Sequence, residues 1–248
     1  MILIFIHYLR NPDQIELFFP PLILNDLTIK QFNEIFKKIN QPNMRFLWVD
    51  ERDKKKLENY FGNQIEIEKK SSEYIFDPKK NHSLEGSEFR DIRKKINSVK
   101  KYQPQFSSLN PTDIPEVLDL LKNWRKLQGR KNSFLLDWGY TNSAVENIFD
   151  LDSSIIKAWK VEISSEIVAV GMAGKINEEI ANMFIAKTNM NIKGLSEFLR
   201  WRMFCELKEF SFVNDASDLG LTGLRQHKMK FRPVAFQPIY TANVILTV

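Results

Sequence analysis

Three strand-length apolar runs follow one another at 155–163, 167–174 and 181–188, separated by Ser164-Ser165-Glu166 and by Asn177-Glu178-Glu179. Short polar breaks between apolar runs are the signature of hairpin turns, so this stretch predicts an antiparallel meander. A helix precedes it, with Asp113 as its cap, Pro115 in its first turn and Val117, Leu118, Leu121 and Trp124 inside. After it come a helix over 194–207, a strand over 210–214, a helix over 220–228 and an extended run over 234–246. Helix, meander, helix, strand, helix, strand is the order of a mixed α/β layer.

The first third alternates strand and helix more loosely. An apolar start over 1–9 reads as a strand. Asp26 with Phe32, Ile35, Phe36 and Ile39 reads as a capped amphipathic helix. A strand over 44–49, a helix ending at Leu57, Tyr60 and Phe61 before Gly62, and short strands over 65–67 and 74–76 follow. Over 86–101, Phe89, Ile92, Ile96 and Val99 recur at helical spacing and define one buried stripe. Arg90, Arg93, Lys94, Lys100 and Lys101 lie off it. Residues 102–111, with Pro104 and Pro111, read as a linker, so the expected halves are 1–105 and 106–248.

Composition excludes several classes. One cysteine, Cys205, forbids an intramolecular disulfide, and with three histidines no zinc-ligand spacing exists, so no metal is expected. No apolar run approaches the roughly 20 residues that span a bilayer, and the N-terminus lacks a signal-peptide pattern. A cytoplasmic protein, at most peripheral to the inner membrane face, is expected. The net charge is +5, and the segment 69–101 alone has ten Lys or Arg against five acids. Such a local excess points to phosphate-bearing partners: nucleic acid, an anionic lipid surface or a charged cofactor.

Two segments carry candidate chemistry. In the first, Asp215 and Asp218 precede Gly220 and Gly223, and Arg225, His227, Lys228 and Lys230 follow on the next helix. Moving an activated carboxyl group onto an amine or hydroxyl needs a base for the nucleophile's proton and a cation for the oxyanion. Asp218 or Asp215 could be the base, and Arg225 and Lys228 the cations. Asp218 could equally cap the helix that follows. In the second, Asn191-Ile192-Lys193-Gly194-Leu195-Ser196 stands between the last meander strand and the next helix. Coenzyme A-dependent acyltransferases hold pyrophosphate at this place on a Gln/Arg-x-x-Gly-x-Gly/Ala loop. Here Asn191 and Ser196 depart from that pattern and Gly194 alone keeps it. The element order matches the N-acetyltransferase (GNAT-like) architecture.

The sequence also resembles the C-terminal domain family of phosphatidylglycerol lysyltransferases (DUF2156). Glu73-Tyr74-Ile75-Phe76-Asp77 resembles its Glu-Tyr-Ile-Tyr-Asp strand. Leu84-x-Gly86 with Arg93 and Ile96-Asn97 is similar to its basic helix. Lys187 and Gly194 have the spacing of its Lys-Ala…Gly segment. Asn214, Asp218-Leu219-Gly220, Gly223-Leu224-Arg225, Lys228 and Phe231-x-Pro233 follow its Asn-Arg-Glu-x-Asp-Leu-Gly…Gly-Leu-Arg-x-x-Lys-x-Tyr-x-Pro pattern. More distantly, the chain is similar to the Fem transferases.

The resemblance implies an α+β fold of two tandem GNAT-like domains facing a cleft. It implies an aminoacyltransferase with charged tRNA as donor and an anionic lipid headgroup or small amine as acceptor, without a bound cofactor. Arg93, Lys94 and Lys95 would bind donor phosphates; Arg225 and Lys228 would hold the reacting ester or phosphate. Asp218 would be base or cap, with Lys187, Gly194 and Asn214 lining the site. Lys94 departs from the family's Asn, and Asp215-Ala216 from its Arg-Glu. The membrane-embedded part of full lysyltransferases has no counterpart here, so a lipid would be reached from the cytoplasm. An acyl-CoA-dependent N-acyltransferase and a non-catalytic anion- or RNA-binding module are the alternatives.

Overall fold

The computed structural model describes residues 2–3, 6–7, 16–23, 34, 44–129 and 138–245. The helix expected after Asp26 lies outside them. The chain forms two compact units, one of Met1–Glu73 with Phe236–Val248 and one of Tyr74–Ala235. This division differs from the expected one at 105, and it leaves the basic helix in the second unit.

In the first unit, strands β1 (Ile2–Leu3), β2 (Ile6–His7), β3 (Glu16–Leu17) and β4 (Leu22–Ile23) precede β5 (Arg45–Val49) and helix α1 (Glu51–Phe61). β2 pairs antiparallel with β3, and β3 parallel with β5. Asp50 caps α1 by accepting from the Asp53 amide at 2.7 Å. Leu57 and Phe61 of α1 join Phe46 and Val49 in the core of this unit. A single strand, β6 (Ile65–Phe76), replaces the two short ones expected and carries the chain into the second unit.

There Asp77 caps a short helix, α2 (Pro78–Ser83), which the sequence reading missed although Asp-Pro is a good helix start. A 3-10 turn (Ser87–Phe89) leads into the basic helix α3 (Arg90–Lys100), which buries Phe89, Ile92, Ile96 and Val99 as the spacing predicts. Residues 102–111 are not a linker. They contain strand β7 (Gln105–Ser108), which pairs antiparallel with β8 (Ile156–Ile163). Pro104 and Pro111 bracket an edge strand, where proline is tolerated. Helices α4 (Ile114–Gly129) and α5 (Trp138–Glu146) follow, the latter unforeseen. Asn110 and Asp113 close a capping box before α4.

The meander of β8, β9 (Glu166–Lys175) and β10 (Ile180–Thr188) forms as predicted. Ser164 and Ser165 both have positive φ, 53° and 66°, the conformation of a two-residue primed turn. A register shift between Met183 and Ile185 turns β10 over: Met183 enters the core beneath α3 and helix α6 (Leu195–Glu206), and Ile185 the core beneath α4. Helix α6 is the crossover to β11 (Phe212–Ser217), whose parallel pairing with β10 has the register Ile180↔Phe212, Ala181↔Val213 and Asn182↔Asn214. Helix α7 (Thr222–Lys230) follows β11. β12 (Ala235–Val244) closes the first unit by pairing antiparallel with β5.

Candidate functional site

The segment from β11 to α7 is the most unusual backbone in the second unit. Ala216, Leu219 and Gly220 all have positive φ, at 49°, 53° and 73°. For Ala and Leu that costs on the order of 1 kcal/mol each, a cost that recurs at functional turns. Side chains hold the turn in place: Asn214 Oδ1 accepts from the Ala216 amide at 2.8 Å, and Asp218 Oδ1 from the Gly220 amide at 3.0 Å. Helix α7 starts from Leu221 with no side-chain cap, so Asp218 is not its cap. The other oxygen of Asp218 accepts from the Tyr74 hydroxyl at 2.5 Å. Burial, then Asp218, push the Tyr74 hydroxyl up to about 12, and the charge of Arg225 opposes them. Arg225 itself is exposed.

Beneath the turn lies a buried ionic cluster. Arg200 Nη1 lies 2.5 Å from both oxygens of Asp215, and Lys228 Nζ lies 3.1 Å from Asp215 Oδ2 and donates to its main-chain carbonyl. Burial drives the Asp215 carboxyl up, but Arg200 and Lys228 together hold it below its ordinary value. Lys228 is only 2% exposed, and burial pulls its ammonium down to about 8 against the attraction of Asp215. The cluster continues into α6. His227 Nε2 accepts from Arg200 Nε at 3.1 Å, and His227 Nδ1 lies 3.4 Å from Glu197 Oε1. Burial lowers the His227 pKa, so the ring is neutral and its Nδ1–H donates to Glu197. Glu197 is held at about 2: burial raises it, and the hydrogen bonds from His227 and Lys95 outweigh that.

The Phosphatidylglycerol lysyltransferase, C-terminal, family model matches residues 4–243. The chain belongs to this family. Comparison with curated protein sequences finds no match. Among solved structures, a conserved protein of unknown function from Bacteroides thetaiotaomicron is 21% identical, with 94% of this chain and 80% of that one covered and a TM-score of 0.76. L-PGS from Bacillus licheniformis is 16% identical, with 100% and 82% covered and a TM-score of 0.74. FemX is 10% identical, with 98% and 84% covered and a TM-score of 0.68. These likenesses show the fold, the tandem GNAT-like α/β arrangement shared with Fem-type transferases.

Within this family member most of the residues singled out by sequence lie in or against the β11–α7 turn and its ionic cluster. Asp218, Arg225, Lys228 and Asn214 share the β11–α7 turn. Lys95 reaches the same cluster from α3 through a 2.5 Å ion pair with Glu197. Gly194 stands at the joint of α6 and α3: its φ is +89°, and a Cβ there would lie 2.6 Å from the Lys95 carbonyl oxygen. Close helix approach is therefore what requires glycine at 194.

The remaining three residues lie apart from these contacts. Arg93 donates to the Leu84 and Gly86 carbonyls and fastens the turn ahead of α3. Lys94 is exposed on α3. Lys187 sits with its Nζ 4.0 Å from the Trp124 ring, on the α4 side of the sheet. Sequence reasoning missed Tyr74 as a partner of Asp218, and also Glu197 and Arg200. The last two are buried, but they lie in a helix that also has Arg202 and Glu206, so no sequence pattern singles them out.

A cavity of about 610 Å³ opens between α4 and the β10–α6 connection, with Glu116, Asp119, Glu166, Trp124 and Asn191 in its lining. Among the described residues no group of three His, Cys, Asp or Glu side chains is placed to hold a metal ion, and no helix is long and apolar enough to cross a membrane.

Proposed function

We propose that this chain is an aminoacyltransferase that takes an aminoacyl group from a charged tRNA and passes it to an anionic lipid headgroup or a small amine. The observation that carries the reading is the β11–α7 turn. It is a strained backbone that presents a carboxylate, Asp218, and an exposed guanidinium, Arg225, above a buried Lys228, in a member of this family. Asp218 takes the proton of the attacking amine or hydroxyl as the new bond to the ester carbonyl forms. Arg225 and Lys228 offset the charge that develops on the carbonyl oxygen. The tRNA 3′-hydroxyl then leaves and takes a proton. Lys94 on the exposed face of α3, with Lys100 and Lys101, supplies charge for donor phosphates or for the inner membrane face, so the work is done in the cytoplasm or at a membrane surface.

Two features speak against coenzyme A as donor. The glycine that would cradle pyrophosphate is used by the contact with Lys95, and the adjoining cavity has Glu116, Asp119 and Glu166 against a single lysine, Lys126. Carboxylates repel a pyrophosphate at that range. No bound cofactor is needed for the transfer. Incubating the protein with labelled charged tRNAs and lipid or amine extracts tests the reading. Transfer that exceeds spontaneous deacylation and falls with Arg225→Ala supports it. Deacylation alone overturns it, and RNA binding without transfer would leave a non-catalytic module.

A further inference from the structure

A second cleft, of about 390 Å³, lies between the end of α3, β7 and α6, with Lys100, Gln103, Gln105, Phe106, Trp201 and Arg202 in its lining. It combines flat rings with positive charge. Lys100 Nζ lies 5.1 Å from the Trp201 ring centroid, and the Arg202 guanidinium lies 4.8 Å from that of Phe106 and 5.7 Å from that of Trp201. No carboxylate lines the cleft. Arg202 Nε is buried without a hydrogen-bond partner among the described residues. Gln103, on the lip, has a φ of 51°.

The rings are held from behind. Phe106 stacks on the buried Trp159 at 6.1 Å, Trp201 packs on Phe198 at 5.9 Å, and the Trp201 indole N–H donates to the His82 carbonyl at 3.0 Å. Rigid aromatic faces beside cations, with amide side chains at the rim, are what a nucleobase and its phosphate require. A cleft of about 390 Å³ has room for a single nucleotide, and its charge is complementary to an RNA strand.

We infer that this cleft is a stacking site for an unpaired nucleotide of RNA, with Trp201 and Phe106 as the platform and Lys100 and Arg202 on the phosphates. The inference rests on the reading of an RNA donor and gives that donor a second point of attachment, apart from the β11–α7 turn. A recessed ring flanked by glutamines favours a base over a bilayer, which would meet exposed apolar side chains on a convex face.

Titrating a dye-labelled five-nucleotide oligoadenylate with the full chain while following its anisotropy, with tryptophan fluorescence of the parent beside it, tests the inference. Saturable quenching is expected. Trp201→Ala should weaken binding roughly tenfold to a hundredfold, the loss of one stacked base, and Trp201→Phe should restore most of the affinity. Lys100→Glu, on an exposed position, should weaken binding and reduce its salt dependence, and it serves if Trp201→Ala does not fold. Binding unchanged by Trp201→Ala and by Lys100→Glu overturns the site. So does quenching by anionic phospholipid vesicles but not by the oligonucleotide.

The oligonucleotide has no aminoacyl group, so the two readings fail separately. Binding at Trp201 without any transfer from charged tRNA sinks the aminoacyltransferase reading alone. Transfer that is indifferent to Trp201→Ala sinks the stacking site alone.

Discussion

The Tyr74 hydroxyl donates to Asp218 Oδ2 at 2.5 Å across 144 residues of sequence. This bond fixes the carboxylate that the proposed reaction uses and fills one of its lone pairs. The Gly220 amide fills another on the second oxygen. Asp218 therefore has one orientation, set by the end of β6 and by its own turn.

Tyr74→Phe should cost about 1 kcal/mol of stability, the worth of one hydrogen bond, and lower the transfer rate by releasing Asp218. Asp218→Asn keeps its one oxygen for the Gly220 amide and can donate its side-chain N–H to the Tyr74 hydroxyl instead, so it should still fold. Its transfer rate should fall by roughly 10²- to 10⁴-fold, the share of a general base. Urea unfolding beside single-turnover transfer separates the two effects.

The buried pair and the exposed cation should separate in the opposite sense. Arg200→Ala removes two hydrogen bonds to Asp215, whose ion pair with Lys228 remains, and should cost about 1.5–3 kcal/mol in chemical denaturation. Arg225→Ala, at an exposed position, should stay within about 0.5 kcal/mol of the parent while transfer falls.

Two glycines distinguish conformational from steric demand. Gly220 has a φ of +73° with open space where a Cβ would stand, so Gly220→Ala should cost only about 1 kcal/mol. Gly194→Ala meets both the +89° backbone and the Lys95 carbonyl at 2.6 Å. It should cost distinctly more in thermal unfolding and should shift α3 away from α6.

Acid should destabilise the second unit in two windows. His227 is lowered by burial, so its contribution is present above its ordinary value of 6.5 and is lost as pH falls below it. Glu197 is lowered from 4.5 to about 2, so its contribution is present above 4.5 and is lost as pH falls towards 2. Thermal midpoints measured from pH 8 to pH 2.5 should decline in both windows. Glu197→Gln should flatten the lower one while lowering the plateau.

What the sequence disclosed follows from the range of the forces involved. The meander was legible because alternation and the Ser164-Ser165 turn are local. The α3 stripe was legible because Ile92, Ile96 and Val99 recur at the helical period. The stretch 102–111 was misread because prolines at 104 and 111 hide an edge strand whose partner, β8, lies some fifty residues on. At the site, Asp218, Arg225 and Lys228 were visible as one charged turn. Glu197 and Arg200 were not, because an ion pair between α3 and α6, or between α6 and β11, leaves no periodic trace. Lys95, expected to bind donor phosphates, is half-exposed and pairs with the buried Glu197.

Burial first, and the Arg200 charge after it, hold the Lys228 ammonium at about 8 against the attraction of Asp215 and Asp218. The cost of that buried charge can be relieved in two ways: Lys228 can release its proton, or a negative group can come to rest beside it. Near pH 8 the two compete. If the proposed donor rests a phosphate beside Lys228, its docking draws a proton from solvent in this pH range, and the uptake itself becomes a signal of occupancy.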